Sequence, residues 1–273
     1  MTALQYFGTL GAGPAHVIAD TARNVVYAAN YGGGTWSAFK TDADGVLTDT
    51  GAQSYAFDFF TGFVPGRQDA PHPHEVVLFK DNIYVMDLGG DRIYHYTITD
   101  EGMIVYDHYY EVEEGSGPRH MLFDESANRG YLLNELKQTI NVYEVEADDG
   151  HLTLLGVVPI EIEGVTPDPS KQTQAEIQLS NDGQNLYISS RGQGTIIKYA
   201  VTADEPYLTE EQEVTLAGTW PRHFILTEDG KYLFVTSKWE DLLSVYNVAE
   251  DGSLSFEAAI TTISLPTITQ FVK

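Results

Sequence analysis

The sequence predicts an all-β propeller whose blades are four-stranded antiparallel sheets, and three observations carry that expectation. Five units of similar layout follow one another, opening at GPAHVIAD, HPHEVVLF, GPRHMLFD, QAEIQLSN and WPRHFILT. Anchored on His16, His74, His120, Glu176 and His223, they lie 58, 46, 56 and 47 residues apart, close to the period at which four-stranded propeller blades recur. Composition agrees: 12% of the 273 residues are aromatic, 17 residues are Tyr and 25 are Gly, which suits half-buried pleated strands joined by tight turns. Helix-period runs are hard to find, so one all-β domain over residues 1–273 is expected.

Within each unit the first strand is the short apolar stretch that follows a Pro-, His- or Gln-rich entry. A turn then leads to a second strand, in VVYAANYG, NIYVMDLG, GYLLNELK, NLYISSRG and YLFVTSKW. Turn chemistry such as NDGQNLY and EDGKYLF joins the two. The third strand is TWSAFKT, DRIYHYTI, TINVYEVE, TIIKYAVT or LLSVYNVA, and YGGGT is a turn between strands two and three of the first unit. The turns DADGVL, TDEGMI, ADDGHL and AEDGSL lead to a fourth, outermost strand, which should alternate polar and apolar residues more strictly than inner strands buried on both faces. The segments FDFFTGFVPGRQDAP and EGVTPDPSKQT are insertions before a first strand. Loops of that length usually cover something, and both are expected over the functional mouth.

Forty acidic against 15 basic residues give a formal charge of −25, which repels nucleic acid and anionic membranes. A few Arg can still reverse the potential in one pocket, so a small anionic ligand remains compatible. The absence of Cys removes disulfides, thiolate metal sites and Cys nucleophiles and favours the cytoplasm. The start, MTALQYFGTLGAGPAH, lacks a basic stretch followed by a long apolar one, and no run approaches the ~18 apolar residues of a membrane span.

An antiparallel second strand returns to the end at which the first began, so residues 13 to 15 positions apart should meet at one mouth. The pairs are His16 with Asn30, His74 with Asp87, His120 with Glu135, Glu176 with Arg191, and His223 with Lys238. All ten positions are polar or ionisable, and Arg119 and Arg222 directly precede two of the histidines. A structural bend into each blade is the plain account of such residues, and ligand binding is the other. Arg119 stands apart because a guanidinium near a channel is an expensive choice for a bend. Glu135 could carry protons if burial raised its pKa, or form an ion pair with Arg119. A metal could use the same His, Asp and Glu, but the interspersed Arg and Lys favour a carboxylate, a phosphate or a developing oxyanion instead. No metal or other cofactor is expected.

The segments VVYAANYGGGT, HPHEV with DLGGDRIYHY, GSGPRH with LLNEL, AEIQLSNDGQNLYISSRG and WPRHFILTEDGKYLFV resemble the lactonase family of seven-bladed propellers. That family includes one class of 6-phosphogluconolactonase and the carboxy-cis,cis-muconate cyclases. The resemblance implies lactone chemistry carried by His74, Arg119, Glu135 and Arg191, and hydrolysis of a sugar-acid lactone, 6-phosphogluconolactone above all. The strand-end pairing adds His16, Asn30, Asp87, His120, Glu176, Arg222 and His223 as substrate-binding residues, and the Arg and Lys among the strand-end residues make metal-independent hydrolysis the expectation. The other readings are a lactonising cyclase and a non-catalytic propeller that binds a ligand or protein. Family members are longer at the N-terminus. Relative to them ALQYFGTL resembles the outer strand of a missing blade and ISLPTITQF a closing strand without partners; either the ring is remade with fewer blades, or an open ring exposes strand edges through which the chain would self-associate.

Overall fold

Runs of β-branched and aromatic residues, each closed by an Asp-, Asn- or Gly-containing turn, leave the chain few alternatives to short antiparallel hairpins. A computed structural model describes residues 7–48, 51–162, 168, 171–261 and 264–271. Among them, five four-stranded antiparallel sheets follow the chain in order. The first is β1 (Pro14–Asp20), β2 (Val25–Asn30), β3 (Thr35–Lys40) and β4 (Gln53–Ala56), and the second is β5 (Pro73–Phe79), β6 (Asn82–Asp87), β7 (Arg92–Ile98) and β8 (Ile104–Glu111). The third comprises β9 (Pro118–Asp124), β10 (Arg129–Asn134), β11 (Thr139–Val145) and β12 (Leu152–Pro159). The fourth is β13 (Thr173–Leu179), β14 (Asn185–Arg191), β15 (Thr195–Val201) and β16 (Leu208–Thr215), and the fifth β17 (Pro221–Leu226), β18 (Tyr232–Ser237), β19 (Leu242–Val248) and β20 (Leu254–Thr261). These are the blades of a β-propeller fold, and all five units of the sequence repeat are among them.

YGGGT becomes one 3-10 turn at Tyr31–Gly33 ended by Gly34 at φ +60, as a turn between strands two and three requires. Second strands such as β6 and β14 are buried along their length, whereas the fourth strands β8 and β16 show runs of exposed residues. ISLPTITQF, expected as a closing strand without partners, forms no strand at residues 264–271. ALQYFGTL begins outside the described residues, and its residues 7–10 are irregular. No helix among the described residues is long and apolar enough to cross a membrane.

The chain separates into two compact units, one of Met1–Arg119 with Ala147–Gly150 and one of His120–Glu146 with His151–Lys273. In the first, β5 packs on β1 and β2, and Trp36, Tyr27, Val76, Ile83, Val85 and Tyr96 form the core. Stacked and edge-on rings, Trp36 on Tyr55 at 4.3 Å and on Tyr96 at 4.9 Å, fill it. In the second, β13 packs on β10 and β17 on β13 and β14. One core gathers Leu133, Ile140, Leu186, Ile188 and Ile197, and another Tyr187, Phe224, Leu233, Val235 and Tyr246.

Candidate active site

The ladders resolve which residues are equivalent from blade to blade, and they correct the pairing expected from sequence. Asn30, Asp87, Asn134, Ser190 and Ser237 each pair with the first residue of the third strand, namely Thr35, Arg92, Thr139, Thr195 and Leu242. All five are buried polar residues. Glu135, Arg191 and Lys238 therefore stand one residue further along than Asn30 and Asp87. On the first strands, Pro14 lies opposite Asn30, Pro73 opposite Asp87 and Pro221 opposite Ser237, each followed by a bulge after which His16, Glu75 and His223 resume the ladder. A bulge inserts one residue and re-aims the side chains around it. His74 thus occupies the inserted position, and Glu75 takes the place held by His16 and His223, because Pro rather than His marks the equivalent residue.

In the first unit, His16 Nε2 lies 3.6 Å from Glu75 Oε1, with both residues largely buried. His74 is buried and meets the Tyr31 ring edge-on at 5.7 Å. Tyr31 also stacks on His72 at 4.4 Å, and His72 Nδ1 lies 2.9 Å from the Tyr31 carbonyl. Asn30 donates to Thr35 and Ser37 and to the Thr9 carbonyl, so it anchors local structure. Asp87 Oδ1 accepts from the backbone N–H of His72 at 2.6 Å and of Gly89 at 3.1 Å. Burial pushes its carboxyl up to about 6 in spite of these bonds. Arg119 is among the largest fully buried side chains.

The insertion before β5 lies at the strand ends that carry His74 and Asp87. Gln68 donates to the Leu88 carbonyl at 2.8 Å, Leu88 N–H donates to the His72 carbonyl, and Thr61 Oγ1 donates to Asp91 at 3.2 Å. Asp91 also accepts from the N–H groups of Gly115 at 2.8 Å and Gly117 at 2.7 Å, just ahead of Pro118 and Arg119. Arg92 is clasped between the rings of Phe59 and Tyr109. Of the second insertion, EGVTPDPSKQT, most lies outside the described residues.

In the second unit, Arg191 Nη2 reaches Glu135 Oε1 at 2.9 Å, and both side chains are almost wholly buried. The same guanidinium donates to the Gln174 carbonyl at 2.9 Å and the Thr173 carbonyl at 3.4 Å, and stands 5.5 Å over the Trp220 ring. Glu135, weighed in sequence against Arg119, thus has Arg191 from the next blade as a partner. Glu176 is a bridge: Oε1 lies 3.2 Å from His120 Nδ1 and Oε2 3.7 Å from His223 Nε2. His223 Nδ1 accepts from the Thr269 N–H at 3.3 Å. Arg222 is half-buried on β17. Three residues that sequence reasoning missed belong to these arrangements. Glu75 and Trp220 sit beside residues it named, and His72 precedes Pro73.

This is a β-propeller protein in which first strands open, and second strands end, in buried acids, imidazoles and guanidinium groups. Residues 1–271 match the family described as Lactonase, 7-bladed beta-propeller, and the chain belongs to it. An uncharacterized protein of Staphylococcus saprophyticus is 31% identical over 223 residues, 80% of this chain and 62% of that protein. The 6-phosphogluconolactonase of Bacillus subtilis is 26% identical over 267 residues, 96% of this chain and 74% of that enzyme. A crystal structure of a protein from Lactobacillus plantarum shares 33% identity with a TM-score of 0.84, covering 92% of this chain and 72% of that one. The chain therefore spans 62% of the length of the staphylococcal relative and about three quarters of the other two.

Proposed function

We propose that this chain hydrolyses a sugar-acid lactone, with 6-phosphogluconolactone giving 6-phosphogluconate as the leading substrate. The observation that carries the reading is the Glu135–Arg191 pair, an ion pair held away from water at the NEL and SRG segments that mark the lactonase resemblance. Burying two charges costs free energy that a purely structural contact could avoid with apolar side chains, so chemistry is the better account of its presence. The B. subtilis relative's name supports the substrate class.

In this reading Arg119 and Arg191 bind the anionic group and stabilise the oxyanion that forms when water attacks the lactone carbonyl. His74 or Glu135 takes the proton of the attacking water, the ring C–O bond breaks, and the proton passes to the departing alkoxide. Guanidinium groups supply the charge stabilisation, so turnover needs no metal. Cytoplasmic residence belongs to the same proposal, in keeping with a sequence without cysteine.

The test is hydrolysis of 6-phosphogluconolactone by the purified chain with EDTA present, beside Arg119→Ala with its fold checked by circular dichroism. Turnover by the parent and a fall of at least ~100-fold in the variant are expected. Full activity in the variant would remove Arg119 from the chemistry, and no turnover from folded parent protein would overturn the lactonase reading.

A further inference from the structure

The second blade carries a group of ligating side chains that the proposed lactone chemistry does not use. His95 lies on β7 opposite His108 on β8, and a bulge between His95 and Tyr96 leaves Asp107 as the extra residue of β8. An unbroken strand would send Asp107 and His108 to opposite faces. The bulge instead lets both approach His95. His108 Nδ1 and His95 Nδ1 lie 2.9 Å and 3.2 Å from the same oxygen, Asp107 Oδ2, and the three donor atoms fall within 4.8 Å of one another.

His95 is the informative member. It is buried, its ring stacks on Tyr84 at 4.8 Å, and its Nε2 lies 2.9 Å from Asn82 Oδ1. An amide oxygen only accepts, so Nε2 carries the proton and Nδ1 is left with a bare lone pair. Nδ1 makes no hydrogen bond, and what it faces is a carboxylate oxygen. Two acceptors pointed at each other, one of them on a buried ring, are satisfied by a cation between them.

We infer that His95, Asp107 and His108 form a binding site for a borderline divalent transition ion, zinc(II) first. Two imidazoles and a carboxylate are a zinc-type donor set, unlike the all-oxygen shells of calcium and magnesium. Zinc–nitrogen bonds of ~2.0 to 2.1 Å put tetrahedral donors ~3.3 Å apart, close to the two separations seen here. Asn82 acts as the outer partner that fixes the tautomer and orientation of a ligating imidazole. Asp107 is exposed and His108 half-buried, so water can complete the shell and the ion can enter from the Asp107 side. Asp149 adds negative potential near His95. The bound ion would tie the third strand of this blade to its outermost one.

The test is calorimetric titration of zinc chloride into the purified full chain after EDTA treatment and dialysis, beside His108→Gln and Asp107→Asn. Both replaced residues lie on an outermost strand, where substitution leaves the core intact. One equivalent of zinc should bind the parent, each variant should lose at least ~10-fold in affinity, and magnesium at equal concentration should give no saturable heat. X-ray absorption of the loaded parent should show two imidazoles among nitrogen and oxygen neighbours. Failure of the parent to bind, parent-like affinity in either variant, or a shell lacking two imidazoles would each overturn the site. Lactone turnover is read separately, since the proposed hydrolysis proceeds in EDTA.

Discussion

Replacing Asp87 with Asn should turn a burial penalty into a pH-dependent difference in stability. Asp87 is completely buried, and its carboxyl is raised from an ordinary 3.8 to about 6, burial outweighing the backbone N–H bonds that favour the charge. The folded value exceeds the unfolded one, so the group's contribution to stability is whole below the unfolded pKa and disappears as pH rises through the folded pKa. A gap of roughly two units is worth ~3 kcal/mol in full, of which about 2 kcal/mol falls between ~pH 4.5 and ~pH 7. Asp87→Asn keeps an acceptor for the His72 and Gly89 N–H groups and does not titrate. Relative to the parent it should therefore gain about 2 kcal/mol across that interval. Urea unfolding of both proteins at each pH measures this, because other titrating groups cancel in the difference. A difference that stays flat within ~0.5 kcal/mol, or moves in the opposite sense, refutes the assignment of a raised carboxyl to Asp87.

Arg191→Met removes one partner of a buried ion pair and should cost ~3 to 5 kcal/mol, whereas the double change Glu135→Leu with Arg191→Met should recover much of it. Denaturant unfolding of the four proteins gives the coupling, and simple additivity would show that the pair is not an energetic unit. Asp91→Ala takes the acceptor from the Gly115 and Gly117 N–H groups and from Thr61, with an expected loss of ~2 to 4 kcal/mol. Thermal unfolding checks it, and a loss below ~1 kcal/mol would mean that water replaces the carboxylate without penalty.

The blades were legible because local rules agree along them: apolar runs, Asp-Gly turns and a repeat all point to one answer. What misled the reading of the strand ends was a single inserted residue. His74 looks equivalent to His16 by residue type, yet the bulge after Pro73 gives that place to Glu75. Aligning on Pro14, Pro73, Pro118 and Pro221 instead of on histidine would have found Glu75. Similarly, Asn30 and Asp87 pair with the first residue of a third strand while Glu135 and Arg191 lie one residue past that position, a distinction that register makes and composition does not. The Arg191 partner of Glu135 comes from the next blade, and no local pattern encodes a contact 56 residues away. The zinc-type group was hidden for the same reason, since Asp107 and His108 adjoin in sequence and only a bulge turns both toward His95.

The carboxylate of Asp91 has a consequence for how this fold can change its specificity. By holding Thr61 from one loop and Gly115 and Gly117 from another, it makes two separate stretches of sequence a single mechanical part, the second of which runs straight into Arg119. A transplanted loop at positions 57–71 would carry its effect to that arginine unless it preserved a donor for Asp91. Variation that reshapes this end of the protein is therefore expected to arrive as matched changes in both stretches, and a library that diversifies this end should vary them together around an unchanged Asp91.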